Sequence, residues 1–258
     1  MTVQDIIAAL DLPGSCRVEQ RVPKKLLVEN GAPTASDKRQ INDGIEEIQW
    51  LAALKPNTIG VPEYRDDVRE YLEIAVLSVT LRANAKPGRL AELVHRAIPY
   101  PVVLVFDDGE YLYVSLAHIR WAQNETDKTV LDGELMQGAF ARTGAADKEA
   151  NRVSVTSFLS ALKLSKQPRA DLFSLYQGWL DTIFAWQAAA ITGRFKASTT
   201  REEAADRRSA LRRCRELDAQ IASLRSAASS EKQIARQAAA NLKMKALLAE
   251  RQQAADSL

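Results

Sequence analysis

Two histidines and two cysteines among 258 residues leave little material for the commonest catalytic and metal-binding chemistries. His95 and His118 stand in no HExxH or Cys/His ligand spacing, so both read as ordinary structural or surface residues. Cys16 and Cys214 lie far apart in sequence and have no context for thiol catalysis, and a reducing compartment leaves them unpaired. No apolar run, such as Val102 to Phe106 or the stretch from Ile183 to Ile191, approaches the roughly 20 residues that span a bilayer. The start, Met1-Thr2-Val3-Gln4-Asp5, has no basic region leading into an apolar one, which points to a cytoplasmic protein with no membrane partner. Neither a GxxxxGK[ST] nor a GxGxxG element occurs, and no GxSxG elbow. Nucleotide-driven work and serine hydrolysis by this chain alone are therefore not expected.

What is present is a chain 46% hydrophobic and 26% charged, enough for one buried core with an appendage. The net charge of +2 conceals an asymmetry. Residues 194–258 hold 14 Lys+Arg against 8 Asp+Glu, whereas residues 1–193 hold 21 against 25. A weakly acidic body, 1–193, with a basic helical tail, 194–258, is the organisation this predicts.

Apolar spacing predicts an α/β (α+β) fold: a mixed sheet with an antiparallel meander, helices packed on it, and a C-terminal helical hairpin or coiled coil. Thr2 caps a first helix over Val3 to Leu10, a short strand spans Arg17 to Gln20, and a helical turn runs from Pro23 to Asn30-Gly31. Ile41, Ile45, Ile48, Leu51 and Leu54 step as one helical stripe after Ser36. Thr58 to Val61 reads as a strand, and Tyr71 to Leu81 as a central strand buried on both faces. A helix opened by Pro87-Gly88 precedes a hairpin of Val102 to Phe106 and Glu110 to Trp121, turned by Asp107-Asp108-Gly109, with a third strand over Val130 to Phe140. From Ser154 the pattern is helical. In the tail, Ala210, Cys214, Leu217, Ile221, Leu224 and Ala228 form a coiled-coil seam that Ser229-Ser230 interrupts. That break favours an αα-hairpin over one continuous dimeric helix.

Two groups of residues have the chemistry of a functional site. Glu47, Asp66, Asp67, Glu70 and Glu73 fall in the order helix, strand, strand, helix, strand. This resembles the core of PD-(D/E)XK nucleases, whose carboxylates hold a magnesium ion that activates water. Glu47, Asp66, Asp67 and Glu73 are the candidate ligands of that reading; Ala75 stands where its lysine belongs. The alternative takes no cofactor and uses the tail cations Arg207, Arg208, Arg212, Arg213, Arg215, Lys243 and Lys245 against the phosphates of DNA or RNA. Interspersed Glu202, Glu203, Asp206, Glu216 and Asp218 equally suit local ion pairs.

Five segments then stand out: Val22-Pro23-Lys24-Lys25, Ile45-Glu46-Glu47-Ile48-Gln49-Trp50, Leu54-Lys55-Pro56-Asn57-Thr58-Ile59, Tyr71-Leu72-Glu73-Ile74 and Ala97-Ile98-Pro99-Tyr100-Pro101. Over roughly residues 1 to 225 the chain resembles a bacterial domain-of-unknown-function family, number forty-three ninety-one, whose members carry such segments in this order. It departs at Ala75, where the family usually has Gln, and in the alanine-rich tail. The resemblance implies genes neighbouring those of helicases and DNA methyltransferases in islands that look like restriction or antiphage defence systems. A non-enzymatic accessory or adaptor subunit, with such a helicase or methyltransferase as its protein partner, is the expected role.

Overall fold

The computed structural model describes residues 1–123, 128–142 and 149–258, with the backbone alone for 149–153. A six-stranded mixed sheet divides the body into two apolar layers. Its strands are β1 (Arg17–Arg21), β2 (Ile45–Leu54), β5 (Ile74–Leu81), β6 (Val102–Asp107), β7 (Tyr111–Trp121) and β8 (Thr129–Ala141), in that spatial order. Only β5 and β6 run parallel; the other neighbours are antiparallel. Between β5 and β6 the chain crosses over through α5 (Pro87–Ala97), and β6 to β8 form the expected meander. A separate two-stranded hairpin joins β3 (Tyr64–Arg65) to β4 (Glu70–Tyr71).

On one face of the sheet lie α1 (Val3–Ala9), α6 (Glu149–Ala161) and α7 (Leu172–Thr192). There Ile6, Val103, Val105, Phe158, Tyr176 and Trp179 are buried together. On the other face α2 (Lys24–Gly31), α3 (Ala35–Gly44) and α5 cover Leu77, Val79, Leu104 and Phe106 with Leu27, Ile41, Leu90 and Val94. Local sequence explains the helix starts. The Thr2 hydroxyl accepts from Asp5 N at 3.2 Å while the Asp5 carboxylate accepts from Thr2 N at 2.7 Å, a reciprocal cap.

The helix expected after Ser36 is correct only as far as Gly44; residues 45–54 are a strand. Two bulges account for the misleading spacing. Register shifts between Ile45 and Glu47 and between Trp50 and Ala52 break the two-residue alternation, so Ile45, Ile48 and Trp50 face one core and Ala52 and Leu54 the other. Apolar steps of three thus arise in an extended chain. The strand expected over Thr58 to Val61 is instead a helical turn, α4 (Pro56–Ile59). Pro56 takes its first position, Thr58 exchanges hydrogen bonds with the Lys55 backbone, and Gly60 ends it at φ 63°. The strand expected from Tyr71 to Leu81 is divided between β4 and β5.

Helix α2 packs on α5 with Gly31 at the contact. A Cβ there would lie 2.5 Å from the Leu93 carbonyl oxygen and 2.6 Å from Ala97 Cβ, both on α5. Gly31→Ala is expected to push the helices apart and cost about 2 kcal/mol. Urea unfolding of the variant beside the parent tests this; an unchanged midpoint would show that the helices tolerate the shift.

The tail forms two helices, α8 (Arg201–Ser230) and α9 (Ile234–Asp256), which pack against each other as a hairpin. The seam residues Cys214, Leu217 and Ile221 are buried. Cys214 Sγ faces the Arg251 carbonyl at 4.0 Å, and Arg251 pairs with Asp218 at 3.1 Å. Both cysteines are free and buried. Among the described residues no helix is long and apolar enough to cross a membrane.

Candidate partner-binding cavity

An apolar cavity of about 260 Å³ opens between α2, the β2 and β5 strands and the turn that follows α5. Pro23 and Leu27 form one wall, Ala75 and Leu77 the floor, and Ile98 and Tyr100 the other wall, with half-buried Trp50 between them. Each side chain is placed by an identifiable cause. Trp50 lies opposite Leu77 in the β2–β5 ladder, and its indole N–H donates to the Ala52 carbonyl at 2.8 Å, which holds the ring. Pro99 and Pro101 bend the chain out of α5 and turn Tyr100 toward solvent. Leu26, 47% exposed, and Tyr100, 36% exposed, stand at the rim.

The neighbouring cations have structural work. Lys24 Nζ donates to the Asn42 carbonyl at 3.2 Å and also to the Ile45 carbonyl, and Arg82 donates to Asn42 O at 3.1 Å. Together they satisfy the carbonyls where α3 gives way to β2. Burial, followed by the charge of Arg82, holds the Lys24 ammonium below its ordinary value.

The four candidate nuclease carboxylates are not brought together. Glu73 is buried and pairs with Lys55 at 3.0 Å, just before β5. Glu47 pairs with Arg21 at 3.6 Å and sits opposite Thr80, at the other end of β5. Six residues of strand, about 20 Å, separate those two positions. Asp66 closes the β3–β4 turn, accepting from Val68 N at 2.8 Å and from the Tyr64 hydroxyl at 2.8 Å. That hydroxyl and the Val68 amide hold its carboxyl below the usual range. Asp67 is exposed, and Glu70 pairs with Arg65 at 2.6 Å. Among the described residues no group of three or more His, Cys, Asp or Glu is arranged to hold a metal ion.

Most of the tail cations are engaged within the chain. Arg207, 3% exposed, donates to the Ser198 hydroxyl and lies 3.6 Å from Glu203. Arg208 pairs with Asp181 on α7, Arg213 with Glu250 on α9, and Arg215 with Glu134 at 2.9 Å. Arg212, Lys243 and Lys245 are exposed to solvent.

The sequence names Trp50 and Ile98-Pro99-Tyr100-Pro101 only as parts of separate segments and does not place them at one site. The signal was their membership of one set of ordered segments. Three of the five segments line the cavity, and Ala75, which lines it too, directly follows a fourth. A family model described as Domain of unknown function (DUF4391) matches residues 10–250. The chain belongs to this family. The match extends through most of the tail, beyond the limit near residue 225 expected from the motifs. No curated protein and no solved structure matches the chain.

Proposed function

We propose that this DUF4391 chain is a non-enzymatic accessory subunit of a bacterial DNA-processing or antiphage defence system, and that it holds a protein partner at the Trp50–Tyr100 cavity. The observation that carries the reading is the convergence of three of the five segments on one apolar cavity with an exposed Leu and Tyr at its rim. At about 260 Å³ the cavity lies below the range typical of small-molecule sites and suits one large apolar anchor side chain. The neighbourhood implied by the resemblance supplies the partner class, a helicase or a DNA methyltransferase encoded beside it. The hairpin supports assembly, and Arg212, Lys243 and Lys245 are the cations it has available for nucleic-acid phosphates.

The test is co-purification of the tagged full chain from cells carrying its own operon. A helicase or methyltransferase of that operon, identified by mass spectrometry, is expected in the parent eluate. Trp50→Ala should reduce its recovery at least about tenfold, as for an anchor residue at a small interface. Ala75→Leu, which fills the floor, should do the same with the circular dichroism spectrum retained. Absence of any operon-encoded partner, or full recovery with both variants, would remove the proposal.

A further inference from the structure

A second cavity, of about 180 Å³, shares Pro99 and Tyr100 with the Trp50 cavity and no other residue. Three segments meet at it. The turn after α5 brings Tyr100, the β3–β4 hairpin brings Glu70, and the end of β7 brings Arg120 and Trp121. The Trp121 amide donates to the Val68 carbonyl at 2.9 Å, which ties the end of β7 to the hairpin. Tyr100 and Trp121 are both exposed, and neither ring contacts another aromatic ring among the described residues.

Two opposite charges border the same space. Glu70 is held from within the hairpin by Arg65 at 2.6 Å, and Arg120 lies 3.7 Å from Asp132. Asp132 already accepts from Arg69 Nε at 2.9 Å, so Arg120 shares that carboxylate with a second guanidinium. Glu70 and Arg120 form no ion pair with each other, although both line the cavity. The cavity thus offers an acceptor, a donor and two unstacked aromatic rings around room for one ring system.

That combination selects the occupant. An apolar side chain would strip water from both charges and bond to neither. A nucleobase has a π-face for the aromatic rings and hydrogen-bonding groups around its edge. Guanine answers both charges: O6 and N7 accept from a guanidinium, while N1–H and the N2 amine donate to a carboxylate. Adenine, cytosine and uracil each set a ring nitrogen or carbonyl acceptor beside the donor they would give Glu70.

We propose that this cavity binds one unpaired guanine base, stacked on Tyr100 and Trp121, with Glu70 accepting from N1–H and the N2 amine and Arg120 donating to O6 or N7. The tail cations meet phosphates whatever the base; this site discriminates. A free nucleotide and a single strand both present such a base, and the experiment separates them.

Calorimetric titration of the full chain with GMP, AMP and CMP tests the site. These ligands share their phosphate, so contacts with the tail cations cancel in the comparison. GMP is expected to bind one to one with half-saturation at about 10–100 µM, and AMP and CMP at least about tenfold more weakly. Trp121→Ala should weaken GMP binding at least about tenfold, and Trp121→Tyr, which keeps a stacking ring, should recover most of it. Glu70→Ala, with the circular dichroism spectrum retained, should abolish the preference for GMP over AMP. An oligothymidylate with a single central guanine then identifies the source: binding tighter than GMP makes a strand the ligand, and binding no tighter makes it a free nucleotide. The chain is measured alone, so failure here leaves the protein-partner reading standing. Equal binding of GMP and AMP, no binding of GMP, or a guanine preference that survives Glu70→Ala would overturn the proposal.

Discussion

Acidification from pH 7.5 to pH 5 is expected to cost the folded chain about 2 kcal/mol through His95 alone. The imidazole lies on α5 against the sheet, 2% exposed, with Nε2 3.1 Å from the hydroxyl of Ser115, itself fully buried. Burial drives its pKa from 6.5 down to about 3. The folded chain therefore keeps the ring neutral, while the unfolded chain takes up a proton near its ordinary value. Stability from this group is complete above pH 6.5 and declines as pH falls, by about 1.4 kcal/mol per unit, until the folded-state value is reached. Urea midpoints at several pH values give the slope. His95→Gln should remove most of it and leave a smaller remainder from His118, which burial also lowers. If the variant keeps the full slope, His95 is not the origin.

His95 also shows what a sequence can and cannot reveal about such a site. Helix periodicity places it on α5, and absence of a ligand pattern marks it as structural, but nothing in the chain announces that Ser115 will face it from β7. The same limit governed the fold. The β6–β7 hairpin was legible because Asp107-Asp108-Gly109 is a local turn signal: the Asp107 carboxylate accepts from Gly109 N at 2.9 Å. The hairpin of the tail was legible because Ser229-Ser230 breaks a seam. Strand β2 was not, since its bulges depend on partners from β1 and β5 that lie elsewhere in the sequence. The cavity was legible as separate motif segments and illegible as a place, because only the α2–α5 contact at Gly31 and the turn at Pro99 bring Pro23, Trp50 and Tyr100 together.

Removing the Asp181 side chain is expected to destabilise the body, because this carboxylate orients a hydrogen-bond chain from α8 to the sheet. Arg208 of α8 donates to Asp181 Oδ1, and Gln177 Nε2 donates to the same oxygen at 2.9 Å. An ionised carboxylate only accepts, so the Gln177 amide must present its nitrogen to Asp181 and its oxygen to His118. His118 Nε2, 2.9 Å from that oxygen, is then the donor, which leaves Nδ1 to accept from the Tyr71 hydroxyl at 2.6 Å. Tyr71 is fully buried, and its oxygen receives the Ile119 amide at 3.4 Å. Desolvation raises the Asp181 carboxyl above its ordinary value, and Arg208 opposes that shift. Asp181→Ala would leave the Arg208 charge and the Gln177 amide without their acceptor, at a cost of about 3 kcal/mol. It should also loosen α8, seen as faster amide exchange over Arg201–Ser230 than over α5. Asp181→Asn keeps an acceptor but frees Gln177 to turn. Its signature should be a mixed tautomer of His118 by nitrogen NMR, resolvable in a chain with two histidines. A pure Nε2–H tautomer in Asp181→Asn, with stability unchanged in Asp181→Ala, would show that the chain is not ordered from Asp181.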